Sequence, residues 1–332
     1  KRKDRFVTTP MTPESALDFA RTFETLANNV GQALLGKDRA VRLVLTAMFA
    51  GGHVLLEDAP GTGKTSLARA VAASVAGSHN RIQFTPDLLP SDVTGVSVYD
   101  QSTATFSFHK GPIFASVVLA DEINRASPKT QSALLEVMEE GRVTVDGTSY
   151  SVGKPFVVIA TQNPIEQAGT YRLPEAQLDR FLLKLELGYP DTESAIDILA
   201  GSAQRDRTSS LNPIISTEGV EAMSQAASGV YVERGVLGYI NGLVEATRVD
   251  PRCRLGSSVR GGLALVRAAK VWAASQGRHY VIPDDVKALA TAVLAHRLVL
   301  DADAELTGAS QIQVVRDVLA THAPPAPPAT HA

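Results

Sequence analysis

The chain has 332 residues, which predicts about two domains, each long enough to bury a core. Its 32 basic and 35 acidic residues give a net charge of −3, so no basic excess points to nucleic acid or an anionic membrane surface. The single cysteine, Cys253, excludes an internal disulfide and a zinc site built from several cysteines. The longest apolar stretch, 43–50, is shorter than the roughly 20 residues of a membrane span, so we expect a cytoplasmic protein without one.

The first half of the chain alternates helical and strand patterns. Amphipathic spacing predicts helices over 14–30, 37–50 and 65–76. Short apolar runs predict strands over 53–57, 116–120, 156–161 and 181–187. Runs of this kind, bounded by turn or helix signals, are typical of strands buried on both faces of a parallel sheet. The pattern therefore predicts an α/β fold.

Two β-hairpins interrupt this α/β pattern. The first pairs 96–99 with 105–108, and the second pairs 143–145 with 148–150. The second is the clearer of the two, because an Asp-Gly pair between alternating strands is a strong hairpin signal.

Beyond Pro190 strand signals nearly vanish. Helices are predicted over 192–202, 217–228, 234–248, 257–276 and 283–300. We therefore predict three segments: N-terminal helices and the α/β core over 1–189, a helical domain over 190–320, and a disordered Pro/Ala tail over 321–332.

A candidate phosphate-binding loop follows the first strand. Residues 58–65 read DAPGTGKT and match G-x-x-x-x-G-K-[ST], except that Asp58 stands at the first glycine. Two glycines let backbone N–H groups turn toward a phosphate, Lys64 supplies a positive charge, and Thr65 is a candidate Mg²⁺ ligand. The alternative, a glycine-rich turn that binds nothing, is disfavoured by the strand and helix on either side. The predicted nucleotide-binding residues are Pro60, Gly61, Thr62, Gly63, Lys64, Thr65, Ser66 and Asp121.

An acidic pair follows the strand over 116–120. Asp121 is predicted to hold Mg²⁺ through water, and Glu122 to polarise the attacking water. Alone, such a pair is usually a solvated helix cap. With the loop present, the second acid favours hydrolysis over transfer to a substrate.

Three further residues complete the predicted catalytic set. Asn163, after the strand over 156–161, offers an amide that could orient the water, although Asn163-Pro164 alone indicates only a turn. Arg180 and Arg260 are candidate cations, although a lone arginine is more often a surface or ion-pair residue.

Several motifs resemble the MoxR family of AAA+ ATPases. They are 81–95 (RIQFTPDLLPSDVTG), 120–126 (ADEINRA), 138–141 (MEEG), 160–167 (ATQNPIEQ) and 173–181 (LPEAQLDRF). The resemblance runs from about Leu35 to Leu300, and an acid in place of the first loop glycine is common in this family. It implies an AAA+ P-loop αβα sandwich with a parallel sheet and two inserted hairpins, followed by an all-α lid, with ATP and Mg²⁺ as cofactors.

The resemblance also implies roles for single residues. Asn163 would be sensor 1, Arg260 sensor 2, and Arg180 the arginine finger that reaches a neighbouring subunit's ATP. The two hairpins would be the helix-2 insert and the pre-sensor-1 hairpin, which face the central pore. The family has proline where this chain has Val259, directly before Arg260.

The leading hypothesis is a Mg²⁺-dependent ATPase, most simply a hexameric ring, that remodels or matures protein complexes. Its expected partners are a protein client and a protein with a von Willebrand factor A domain. The alternatives are a nucleic-acid motor, a magnesium-chelatase-like motor subunit, and an ATP-gated scaffold that hydrolyses slowly. Residues 96–108 contain no Lys or Arg, which disfavours specific nucleic-acid binding, and the intact acidic pair disfavours the scaffold.

Overall fold

The computed structural model describes residues 9–58, 61–162, 170–171, 173–200 and 207–325. These residues divide into two compact units. The larger consists of the described part of Phe23–Ala222, and the smaller of the described parts of Lys1–Thr22 and Met223–Ala332. The domain boundary near Pro190 stays a prediction.

A five-stranded parallel sheet forms the centre of the larger unit. In sheet order its strands are β2 (His79–Gln83), β5 (Val117–Asp121), β8 (Val157–Gln162), β1 (Val54–Glu57) and β9 (Leu183–Leu185). Nearly every residue of the three inner strands is buried, as their continuous apolar runs predict. Because all five strands run in the same direction, their carboxyl ends meet at one edge.

Helices flank this sheet. In chain order they are α1 (Pro13–Ala33), α2 (Asp38–Phe49), α3 (Lys64–Ser74), α4 (Pro90–Thr94), α5 (Pro128–Glu140), α6 (Glu175–Leu178), α7 (Thr192–Ala200) and α8 (Thr217–Ser228), of which α1 and α8 contribute residues to both units. The predicted bounds of the first three agree with the structure to within about three residues. A buried cluster that includes Leu55, Val118 and Val158 from the strands and Leu134 and Leu135 from α5 forms the core on one face of the sheet.

Both predicted hairpins are present. The first consists of β3 (Gly95–Asp100) and β4 (Thr105–Lys110), and the second of β6 (Arg142–Val145) and β7 (Thr148–Ser151). The turn residues of the second have positive φ values, 50° at position 146 and 77° at position 147, as a two-residue hairpin turn requires. The rings of Phe108 and Tyr150 stack with their centroids 4.2 Å apart, so the two hairpins are in contact.

His53, just before β1, joins three elements of this unit. Its buried ring accepts the Val158 N–H at Nδ1 (3.0 Å), which leaves Nε2 to donate to the Met138 carbonyl oxygen (3.0 Å). That carbonyl lies in the last turn of α5, where intrahelical partners run out. The histidine therefore ties α5, which leads into the second hairpin, to the centre of the sheet.

The smaller unit is mainly helical. Its further helices are α9 (Arg234–Val249), α10 (Val259–Ser275), α11 (Pro283–Leu294), α12 (Ala302–Leu306) and α13 (Gln311–Thr321). A short antiparallel pair, β10 (Cys253–Leu255) with β11 (Val299–Leu300), accompanies them. The helix predicted over 283–300 is wrong at its end, because the chain leaves α11 at Leu294, makes a 3₁₀ turn and enters β11.

Within the described ranges, no helix combines the length and the apolarity that crossing a membrane requires. Of the tail predicted over 321–332, residues 326–332 lie outside the described residues.

Candidate nucleotide-binding site

The glycine-rich loop leaves β1 and ends where α3 begins, at Lys64. Gly61 and Gly63 have φ values of 83° and 97°, which residues with a side chain rarely adopt. Apart from their chain neighbours, no described residue lies within 4 Å of a Cβ placed on either glycine, so both positions are open. An open loop with these dihedral angles at a helix N-terminus has the shape of a phosphate cradle.

Lys64 contacts the start of the loop. Its Nζ donates to the main-chain carbonyl oxygen of Asp58 at 3.1 Å, so the ammonium group lies next to the residue that follows β1. Thr65 and Ser66, in the first turn of α3, are half-buried, and Thr62 is buried. Pro60 lies outside the described residues.

Asp121 ends β5 at the same edge of the sheet, and α3 packs against that strand. It is 9% exposed. Its Oδ1 accepts a hydrogen bond from the buried Thr161 hydroxyl at 2.6 Å, and its Oδ2 accepts one from Arg81 Nη2 at 2.6 Å. Both carboxylate oxygens therefore accept a hydrogen bond, one from a hydroxyl group on β8 and one from a guanidinium group on β2.

Glu122 follows in a backbone conformation that is uncommon for a residue other than glycine, with φ 57° and ψ 47°. Its main-chain N–H donates to the Thr161 hydroxyl oxygen at 2.9 Å. Its Oε2 accepts hydrogen bonds from Gln83 Nε2 at 2.9 Å and from Arg125 Nη1 at 3.0 Å. The two acids thus share Thr161 but have different side-chain donors.

Arg180 makes contacts within its own unit. Its Nη1 donates to the Leu135 carbonyl oxygen at 2.5 Å, and its Nη2 lies 3.1 Å from Glu139 Oε2. The sequence analysis gave an ion-pair residue as the alternative for Arg180, and the structure pairs it with Glu139 on α5. The role of Arg180 as an arginine finger stays a prediction.

The two sensor assignments also stay predictions. Arg260 is an exposed residue of the first turn of α10 in the smaller unit, and its main-chain N–H donates to the Ser258 hydroxyl oxygen at 3.1 Å. Asn163 lies outside the described residues. Val259, which replaces a proline of the family, begins α10 after the capping Ser258.

Asp58 has a role that the sequence analysis missed. Its carboxylate is buried and accepts the main-chain N–H groups of Leu187 and of Gly188, the latter at 3.0 Å. Lys37 Nζ donates to the Gly188 carbonyl oxygen at 2.9 Å, so the same short segment is held from two sides. The only feature of the sequence that could have indicated this role is an acid at a position where the general loop pattern has glycine.

Replacement of Asp58 with asparagine should lower the free energy of unfolding of the larger unit by about 1–3 kcal/mol. Asparagine has one side-chain oxygen where aspartate has two, so its NH₂ group would face one of the two main-chain N–H donors. Urea unfolding monitored by circular dichroism measures the change. Asp38→Asn makes the same chemical change at an exposed carboxylate of α2 and should stay within about 0.5 kcal/mol of the parent. Equal shifts for both variants would contradict the buried role.

The sheet order, the loop before α3 and the helical second region define a P-loop αβα domain with a lid. Comparison with known proteins agrees: residues 53–183 match the ATPase family associated with various cellular activities (AAA), and residues 245–318 match the AAA lid domain. A crystal structure of a protein from Cytophaga hutchinsonii, named provisionally as an ATPase, superposes with a TM-score of 0.86 at 38% identity, covering 92% of this chain and 96% of that one.

Two similar proteins indicate to which family of AAA+ ATPases the chain belongs. The chain is 48% identical to the uncharacterized protein YeaC of Bacillus subtilis, over 88% of this chain and 91% of the relative. It is 40% identical to the chaperone MoxR1 of Mycobacterium tuberculosis, over 92% of this chain and 82% of the relative. The chain therefore belongs to the MoxR family of AAA+ ATPases.

Proposed function

We propose that the protein hydrolyses ATP with Mg²⁺ and works as a ring, most simply a hexamer, that remodels or matures protein complexes. The observation that carries the proposal is that the loop and the acidic pair lie at the same edge of the sheet. Lys64 and Thr65 begin α3, and α3 packs on the strand that ends in Asp121. A cation, a hydroxyl and two carboxylates at one edge of a parallel sheet are the groups that phosphoryl transfer to water needs.

The loop residues bind the nucleotide in this proposal. Main-chain N–H groups of Gly61, Thr62 and Gly63 would hold the phosphates, Lys64 would add its charge, and Pro60 and Ser66 border these residues in the sequence. The Thr65 hydroxyl and the Asp121 carboxylate are hard oxygen ligands, which suit Mg²⁺. A bound magnesium ion neutralises charge on the phosphate oxygens.

Glu122 is the proposed general base. A carboxylate at this position accepts a proton from the water that attacks the γ-phosphate. In the structure its Oε2 accepts two hydrogen bonds, from Gln83 and Arg125, which hold the carboxylate in place. Asn163 and Arg260 are proposed to orient the water and the γ-phosphate, and Arg180 to stabilise the charge on a neighbouring subunit's nucleotide.

Exposed apolar side chains on the first hairpin support a protein client. Val96, Val98, Tyr99 and Phe106 are each more than two fifths exposed. From 96 to 108 the hairpin carries no Lys or Arg, so this part of it offers an extended polypeptide apolar contacts but gives a phosphate backbone no cation. We further propose a partner with a von Willebrand factor A domain and a location in the cytoplasm, both on the strength of the family.

Replacing Lys64 with alanine tests the nucleotide site. We expect the affinity for ATP to fall by about 10- to 150-fold, because the phosphates lose a charged donor that contributes about 1.5–3 kcal/mol. Titration with a fluorescent ATP analogue measures binding, and phosphate release in the presence of Mg²⁺ measures turnover. The control Lys129→Ala removes an exposed lysine of α5. Parent affinity in Lys64→Ala, or a parent protein that releases no phosphate, would overturn the proposal.

A further inference from the structure

Arg81 connects the two acids of the site through a continuous row of hydrogen bonds. Its Nη2 donates to Asp121 Oδ2 at 2.6 Å and to Gln83 Oε1 at 2.8 Å. Gln83 Nε2 donates in turn to Glu122 Oε2 at 2.9 Å. One arginine therefore contacts the proposed metal ligand directly and the proposed general base through one amide.

The strand β2 places these side chains. Arg81 and Gln83 are two residues apart, so they project from the same side of the strand, and Gln83 lies opposite Asp121 in the parallel register with β5. A guanidinium group can only donate, so the Gln83 carbonyl oxygen must face it. The amide nitrogen then faces Glu122, whose carboxylate can only accept, so Arg81 and Glu122 together fix the orientation of Gln83.

Arg81 occupies an oxygen that a metal ion would need. Thr161 holds Oδ1 of Asp121 and Arg81 holds Oδ2, so a cation approaching that carboxylate, directly or through water, competes with a guanidinium that stays charged. The Arg81 side chain is 49% exposed and the Asp121 side chain only 12%, so Arg81 is the partner with room to leave.

We propose that Arg81 occupies the Asp121 carboxylate in the absence of metal, and that Mg²⁺ must displace it to use that carboxylate. Arg81 thereby lowers the affinity of the site for the metal. The inference rests on the proposed function, because it assigns Asp121 the role given there.

The affinity of the ADP-loaded protein for Mn²⁺ tests this competition. Mn²⁺ favours the same oxygen ligands as Mg²⁺, and electron paramagnetic resonance counts the free ion. Arg81→Gln should bind Mn²⁺ about fivefold more tightly than the parent, the size expected for loss of a competing, partly exposed ion pair. Arg81→Lys keeps the charge and should stay within about twofold of the parent. The control Arg21→Gln breaks an exposed arginine–aspartate pair on α1 and should change nothing.

Tighter binding separates this role from a structural one, because a damaged site would bind the metal more weakly. Thermal unfolding establishes that each variant is folded, and Arg81→Met, which keeps the apolar stem, is the second neutral variant. Unchanged or weaker Mn²⁺ binding in a folded neutral variant would overturn the inference alone. A parent protein that binds neither ADP nor Mn²⁺ would instead overturn the proposed function.

Discussion

Replacing Glu122 with glutamine should leave ATP binding within about twofold of the parent and lower turnover by about 10²–10⁴-fold, the range of general-base catalysis. Glutamine has nearly the same size, and its carbonyl oxygen can accept the hydrogen bonds that Gln83 and Arg125 now donate to Oε2. Binding and folding should therefore survive, whereas an amide cannot take a proton from water. Fluorescent-nucleotide titration and phosphate release measure the two quantities separately.

The matched control is Glu136→Gln, which makes the same change at an exposed glutamate of α5. It should hydrolyse ATP at the parent rate. If Glu122→Gln also hydrolyses ATP at the parent rate, Glu122 is not the general base. If Glu122→Gln loses binding as well, its carboxylate serves the nucleotide site in another way.

Replacing Arg180 with alanine should lower turnover by about 10³–10⁵-fold while ATP still binds, if this residue serves a neighbouring subunit as an arginine finger. The structure supplies a sharper control than the sequence could. Because Arg180 lies 3.1 Å from Glu139, a purely structural ion pair predicts that Glu139→Gln reproduces the defect of Arg180→Ala. A finger predicts instead that Glu139→Gln retains most of the turnover, since a half-exposed pair contributes about 1 kcal/mol or less.

Mixing Arg180→Ala with Lys64→Ala extends this test to the assembly. Neither variant alone should hydrolyse ATP well, but a mixed ring contains interfaces that combine an intact loop with an intact arginine. Partial recovery of phosphate release supports a site shared between subunits. Absence of recovery in rings shown to exchange subunits, or unfolding of Arg180→Ala, would remove this arginine from the active site.

The sequence predicted those parts of the fold whose signals are local. The inner strands β1, β5 and β8 are continuous apolar runs, and the second hairpin has an Asp-Gly turn whose two residues do adopt positive φ. The loop and the acidic pair could be found because each follows such a run. Their meeting at one edge then follows from the parallel direction of the strands.

Elements without an apolar pattern escaped prediction. The strand β2 reads HNRIQ and buries only Ile82, because it lies at the edge of the sheet and carries a polar side that faces the acids. The contact between Arg81 and Asp121 joins positions forty residues apart, and that between Asp58 and Gly188 joins positions 130 apart. Single residues carry no sign of such distant partners, so only the folded chain reveals them.

The stacked rings of Phe108 and Tyr150 constrain how the sequences of the two hairpins can change during evolution. Each ring belongs to a different hairpin, and a stacked pair contributes about 0.5–1.5 kcal/mol beyond the area it buries. Loss of either ring removes this contact between the hairpins and loosens both of them. Two positions far apart in the chain should therefore vary together among homologues, and a hairpin transplanted from a relative should bring its counterpart with it.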